Sequence, residues 1–95
     1  MSINNIIRFK EICDKLEIKI DPPDSFNKRF IVQKIFYFLK KLGINLETQY
    51  NFFTYGPYSS NISDYYDTII SLSDQELKTY LLYMRKFHII KNNKE

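Results

Sequence analysis

The sequence predicts a mostly α domain with a small β component, and three observations carry that class. Apolar residues recur at helical spacing in four stretches. Proline, glycine or a Ser/Asp/Asn capping residue stands at nearly every boundary between those stretches. A single run, 46–55, is rich in β-forming residues. With 95 residues the chain suits one domain rather than two, since domains usually run to roughly 100–150 residues.

The first helix is expected over 2–17, capped by Ser2 or an adjacent Asn, with Ile6, Phe9, Cys13 and Leu16 on one side. Asp21-Pro22-Pro23-Asp24-Ser25 stops it, because two prolines forbid a helix interior. Ser25 or Asp24 then caps a second helix over 25–42, which Gly43 terminates. At helical spacing, Ile31, Val32, Ile35, Phe38, Leu39 and Leu42 form one broad arc, read as the core face, with Arg29, Gln33, Lys34, Lys40 and Lys41 opposite. A second apolar line, Phe26, Phe30 and Tyr37, runs between the basic residues. A helix apolar on two sides is expected to be central, covered from both directions.

The run 46–55, ending Tyr50-Asn51-Phe52-Phe53-Thr54-Tyr55, reads as one short strand, with Gly56-Pro57 as the corner after it. Ser59, Ser60 and Asn61 offer caps for a third helix over 60–71, whose Ile62, Tyr66 and Ile69 share a face. Ser73-Asp74-Gln75-Glu76 has the form of a capping box and opens a fourth helix to about residue 86, with Leu77, Tyr80, Leu81, Met84 and His88 on one face. His88-Ile89-Ile90 reads as a final short strand. The expected division is one domain over 1–95: an N-terminal helix in 1–20, a core over 25–91 and a polar tail over 92–95. The element order from residue 25 is that of a winged helix-turn-helix with an extra helix in front.

Composition narrows the function. Sixteen aromatic residues, eight Tyr and eight Phe, exceed what a chain this short can bury, so some must reach the surface as contact candidates. A net charge of +3 permits nucleic acid without demanding it. One cysteine excludes an internal disulfide framework and a multi-cysteine zinc site. No apolar run reaches the roughly 18 residues that cross a bilayer. Asn4, Asn5, Arg8 and Lys10 break the pattern of a signal peptide, so no membrane partner and a cytoplasmic location are expected.

Catalysis fails on inventory. A nucleophile–base pair could draw only on Cys13 and His88, and both fall on expected core faces. Asp64 and Asp67 share a face, but Asp64 suits the N-terminal dipole of its helix and Asp67 reads as solvated. With two glycines in all there is no phosphate-cradling loop. The chain is expected to be no enzyme and to need no cofactor.

Two binding readings remain. A protein partner would meet Arg29, Phe30, Lys34, Tyr37, Tyr55 and Tyr58, an aromatic centre with a basic rim. The architectural alternative is that the 50–55 strand and Tyr58 simply cover that line. Double-stranded DNA would instead be read by helix 74–86, with Gln75, Lys78, Arg85, Lys86 and Lys91 as contacts, and a homodimer would suit paired half-sites. Asp74 and Leu82 on the same face also fit an ordinary solvated surface.

Arg29, the run Gln33-Lys34-Ile35-Phe36-Tyr37-Phe38-Leu39, Gly43, the turn Tyr55-Gly56-Pro57-Tyr58-Ser59, and Asp64 with Ile69 together form a recognisable pattern. Over roughly residues 29–70 the chain resembles the Panacea, or SocA-like, antitoxin-type domains and their Y-G-P-Y-S relatives. Those domains usually follow Gly-Pro with a small aliphatic residue, where this chain has Tyr58-Ser59. The resemblance implies a winged-helix-like domain without enzymatic activity, neutralising a cognate toxin by direct contact or serving as an adaptor. Beside it stands a physical expectation for the turn: Tyr55 and Tyr58 pack over the second helix and direct hydroxyls to Gln33 or Lys34.

Overall fold

Ile6, Phe9 and Cys13 are all buried, and this i, i+3, i+7 series fixes which side of the first helix faces inward. In the computed structural model, which describes residues 3–44 and 46–72 together with Gln75, Glu76, Lys78, Thr79 and Leu82, that helix is α1, Ile3–Lys15. Its end is a Schellman turn: Glu17 N–H donates to Asp14 O at 3.1 Å and Ile18 N–H to Cys13 O at 2.8 Å. The turn places Glu17 at φ 59, a left-handed conformation that a side chain resists. Leu16, expected on the core side, is 47% exposed because the turn begins there.

Residues 18–25 are neither helix nor strand and bend at a cis Pro22-Pro23 bond, with Ile18 and Ile20 packed on the core. Ser25 caps α2, Phe26–Lys41, accepting a bond from Lys28 N–H at 3.1 Å. Gly43, at φ 93, closes the other end with a second Schellman turn, Ile44 N–H donating to Leu39 O at 2.9 Å.

The buried side of α2 keeps half of the expected arc, with Val32 buried and Ile35 and Leu39 packed on the core, and adds Gln33 and Phe36. Val32, Gln33 and Phe36 face the core, while Ile31, Phe38 and Leu42 are 53%, 65% and 80% exposed. The inward side is shifted towards Gln33, whose amide finds a partner inside, while Arg29 pairs at the surface. Gln33 bonds the backbone of Ser59, and Arg29 pairs with Asp24 and Asp67. A hydrogen-bonded polar group can be buried at little cost. α2 is covered from more than one direction, as expected of a central helix: Phe36 stacks on Phe9 of α1, Tyr37 packs edge-on against Tyr50 and Phe52, and Gln33 holds Ser59.

The expected single strand is a hairpin. β1, Asn51–Phe53, pairs antiparallel with β2, Gly56–Tyr58, in the register Asn51↔Tyr58, Phe52↔Pro57 and Phe53↔Gly56. The corner is therefore Thr54-Tyr55, and Gly56-Pro57 belongs to the returning strand. Gly56 sits at φ 106, which a residue with a Cβ would resist, and it turns the chain back. Pro57 is tolerated because the alternation of an antiparallel ladder puts it opposite Phe52 at a position needing no N–H donor. Residues 46–50 are held by side chains instead of a ladder. The Tyr65 hydroxyl donates to Glu47 O at 2.8 Å, Lys40 Nζ to Thr48 O, and Gln49 N–H to Asn61 Oδ1 at 3.0 Å.

Ser59 then caps α3, Ser60–Ser71, accepting from Ile62 N–H at 3.3 Å. Its Ile62, Tyr66 and Ile69 are buried as expected, joined by Tyr65. Phe9 lies at the centre, with ring centroids 4.8 Å from Phe36 and 5.8 Å from Tyr65, so it joins all three helices. Burying an aromatic ring of this kind stabilises by about 1.5–3 kcal/mol. The described residues thus form a mostly helical fold with a small two-stranded antiparallel sheet. Gln75, Glu76, Lys78, Thr79 and Leu82 are helical. The expected capping Ser73, the fourth-helix face at Leu77, Tyr80, Leu81 and Met84, and the strand 88–90 lie outside the described residues.

Candidate protein-binding groove

The first two turns of α2, the hairpin and the start of α3 enclose a groove of about 400 Å³. The position of each wall follows from a local feature. The Ser25 cap starts α2 so that Phe26 and Phe30, one turn apart, stack with centroids 5.8 Å apart. The hairpin carries Phe53, Tyr55 and Tyr58 to the opposite wall. There Tyr55 meets Phe26 edge-on at 6.0 Å, and Phe53 meets Tyr58 at 6.0 Å. Ile62 and Tyr66 of α3 form the floor.

Two polar devices hold these walls together. Gln33, 7% exposed, receives the Ser59 N–H on Oε1 at 2.8 Å and donates Nε2 to the Ser59 carbonyl at 2.9 Å. Arg29 Nε lies 2.9 Å from both Asp24 oxygens, and its terminal nitrogen also bonds Asp67. The guanidinium sits over the Tyr66 ring, 4.5 Å from its centroid. The hydrogen bond to Asp24, with the Asp67 contact behind it, raises the Arg29 pKa above its ordinary range, and the same bond lowers that of Asp24. Arg29 is therefore neutralised where it stands, and the groove offers apolar and aromatic surface with tyrosine hydroxyls rather than an open charge. Asp67, read from sequence as solvated, is one of its partners.

The structure brings together four of the six sequence-designated contacts: Arg29, Phe30, Tyr55 and Tyr58 all line the groove. Lys34 stands on its rim with Nζ 4.4 Å from the Phe30 ring centroid. Tyr37 is elsewhere, packed edge-on against Tyr50 at 5.3 Å and Phe52 at 5.9 Å, so on this side β1 does cover the apolar line. The lock between the turn and α2 exists, but Gln33 makes it with the Ser59 main chain; the designated tyrosine hydroxyls do not. Phe26 and Phe53 escaped designation. The i, i+4 spacing of Phe26 and Phe30 would have signalled the first, and only the hairpin register places the second.

Cys13 is fully buried, and burial pushes its thiol up to about 12, which makes it a poor nucleophile. His88 lies outside the described residues. Of the nucleic-acid candidates, Gln75 and Lys78 are exposed on helical backbone, while Arg85, Lys86 and Lys91 lie outside the described residues. Among the described residues, no helix is long and apolar enough to cross a membrane. No family model, no characterised protein and no solved structure matches the chain.

Proposed function

We propose that the chain is a non-enzymatic regulatory module of antitoxin-like or adaptor type, and that a partner protein seats an apolar segment in the groove between α2 and the hairpin. The observation carrying this reading is the concentration of exposed aromatic surface there: Phe26 is 66%, Phe53 61% and Tyr55 71% exposed around one concavity. Exposed aromatics clustered about a pocket are the usual anchors of protein recognition. The resemblance to Panacea-type domains supports the same reading, and the helical residues after α3 support a winged-helix-like scaffold.

The test uses Phe53→Ala/Tyr55→Ala, whose side chains are mostly in solvent, so the fold should survive unchanged. The neighbouring reading frame is co-expressed with the wild-type chain and with the double variant. On this reading the neighbour is toxic alone, is neutralised by and co-purifies with the wild type, and escapes the variant. Neutralisation by both chains alike, or no complex with either, would remove the reading. A shift of duplex DNA at low salt that weakens in Lys78→Ala would instead favour the DNA-binding alternative, which the exposure of Gln75 and Lys78 on a helix supports.

A further inference from the structure

Of the apolar arc of α2 that sequence spacing assigns to the core, Val32, Ile35 and Leu39 pack inside, while Ile31, Phe38 and Leu42 lie outside. Ile31, Ile35, Phe38 and Leu42 follow one another at intervals of four, three and four residues, the alternation of a heptad seam. At 100° per residue they fall within about 60° of arc, a narrow stripe. Ile31, Phe38 and Leu42 are 53%, 65% and 80% exposed, and Ile35, at the inner margin of the stripe, is part-buried and packed on the core. The groove residues Phe26, Phe30 and Gln33 project from the other side of the same helix.

The charges beside this stripe are unbalanced. α2 carries Lys28, Arg29, Lys34, Lys40 and Lys41 and no Asp or Glu. Lys28 pairs with Asp21, Arg29 with Asp24 and Asp67, and Lys40 bonds the Thr48 carbonyl. Lys34 and Lys41 remain. They are exposed, lie seven positions apart along one flank of the seam, and contact only the Phe30 and Tyr37 rings. Among the described residues neither joins an ion pair.

We infer that the Ile31–Ile35–Phe38–Leu42 stripe is a second docking site, for an amphipathic helix of a partner protein that carries acidic residues beside its own apolar seam. A heptad seam buries its apolar residues only against another helix, and lysines at one flank select carboxylates on the facing flank. A second copy of this chain fits poorly, because antiparallel α2 helices would set lysine against lysine. An anionic membrane surface fits poorly as well, since interfacial helices present a much broader apolar face. With one site on each side, α2 would join two partners, as an adaptor requires.

The test measures binding of the full chain to two synthetic three-heptad peptides with Leu at the seam, one with Glu and one with Lys at both flanks. Fluorescence anisotropy should show saturable binding of the Glu peptide and at least about tenfold weaker binding of the Lys peptide. Lys34→Glu/Lys41→Glu should invert that preference, and Phe38→Ala, mostly in solvent, should weaken binding with an unchanged urea midpoint. The inference is overturned if neither peptide binds, if both bind alike, or if the preference survives charge reversal. Attachment to phosphatidylserine vesicles without peptide binding, or self-association abolished by Phe38→Ala, would overturn it equally.

Discussion

The Gln33 side chain closes a two-bond clasp on the main chain of Ser59, accepting its N–H at 2.8 Å and donating to its carbonyl at 2.9 Å. The two residues are 26 positions apart, and both are buried. Ser59 is at once the end of the hairpin and the cap of α3, so the clasp fixes both relative to α2. Together with the Arg29 contacts to Asp24, Asp67 and Tyr66, the clasp holds the walls of the groove against one another.

Truncating the clasp leaves the Ser59 donor and acceptor buried without partners. Gln33→Ala should lose about 2–3 kcal/mol of stability, the cost of unpaired buried backbone groups. Gln33→Glu should lose at least as much, because it sets a carboxylate oxygen against the Ser59 carbonyl. Urea unfolding of both variants checks this, and a loss smaller for Glu than for Ala would contradict the assigned geometry.

Cys13 makes the fold sensitive to alkali. Its ordinary value is 9.0 and burial raises it to about 12, so between those limits the unfolded chain loses a proton that the folded chain keeps. Stability is therefore complete below pH 9.0 and falls as pH rises towards 12, by at most about 1.4 kcal/mol per pH unit for one group. Burial likewise raises Tyr50 from 10.0 to about 12, adding to the upper part of that fall. Cys13→Ala should flatten the onset of the slope in urea midpoints measured across this range, though it lowers stability elsewhere.

Glu17 occupies a left-handed position where α2 has a glycine. Glu17→Gly should stabilise by about 0.5–1 kcal/mol, because glycine adopts φ 59 without steric cost. Gly43→Ala, at φ 93 with open space around its Cβ, should destabilise through backbone strain alone. Thermal melts of the two variants should shift in opposite directions.

The hydrogen bond from Arg29 holds the Asp24 carboxyl below its ordinary 3.8. Its contribution to stability is present above that value and is lost as pH falls through the lowered one. Asp24→Asn should therefore weaken the decline in stability on acidification while lowering stability near neutrality. Asp24 is in open solvent and screened, so the effect should shrink with added salt. Chemical unfolding at two ionic strengths checks both parts.

Helix existence was legible because caps act locally. Ser25 accepts from Lys28, three residues on, and Gly43 ends α2 within one turn of its last residue. The hairpin was not legible, since β-propensity is similar from Tyr50 to Phe53 and Gly56-Pro57 reads equally well as a terminator. Its register depends on the geometry of Gly56 and on where α3 begins. The candidate site was half legible. Phe30, Tyr55 and Tyr58 announce themselves as surplus aromatics, but their meeting around one groove depends on that register.

By itself the sequence determined the class of the fold, three described helices with the caps of α2 and α3, and an aromatic excess that had to reach the surface. The tertiary structure alone decided how much of the apolar arc of α2 is inside. Spacing placed Val32, Ile35 and Leu39 inside correctly but favoured Ile31, Phe38 and Leu42 as well, since it weighs only the apolarity of single side chains. Gln33 joined Val32 on the inner side because its partner, Ser59, lies 26 positions distant. A polar group is cheap to bury only once it is bonded, and bonds across such distances exist only after the chain has folded.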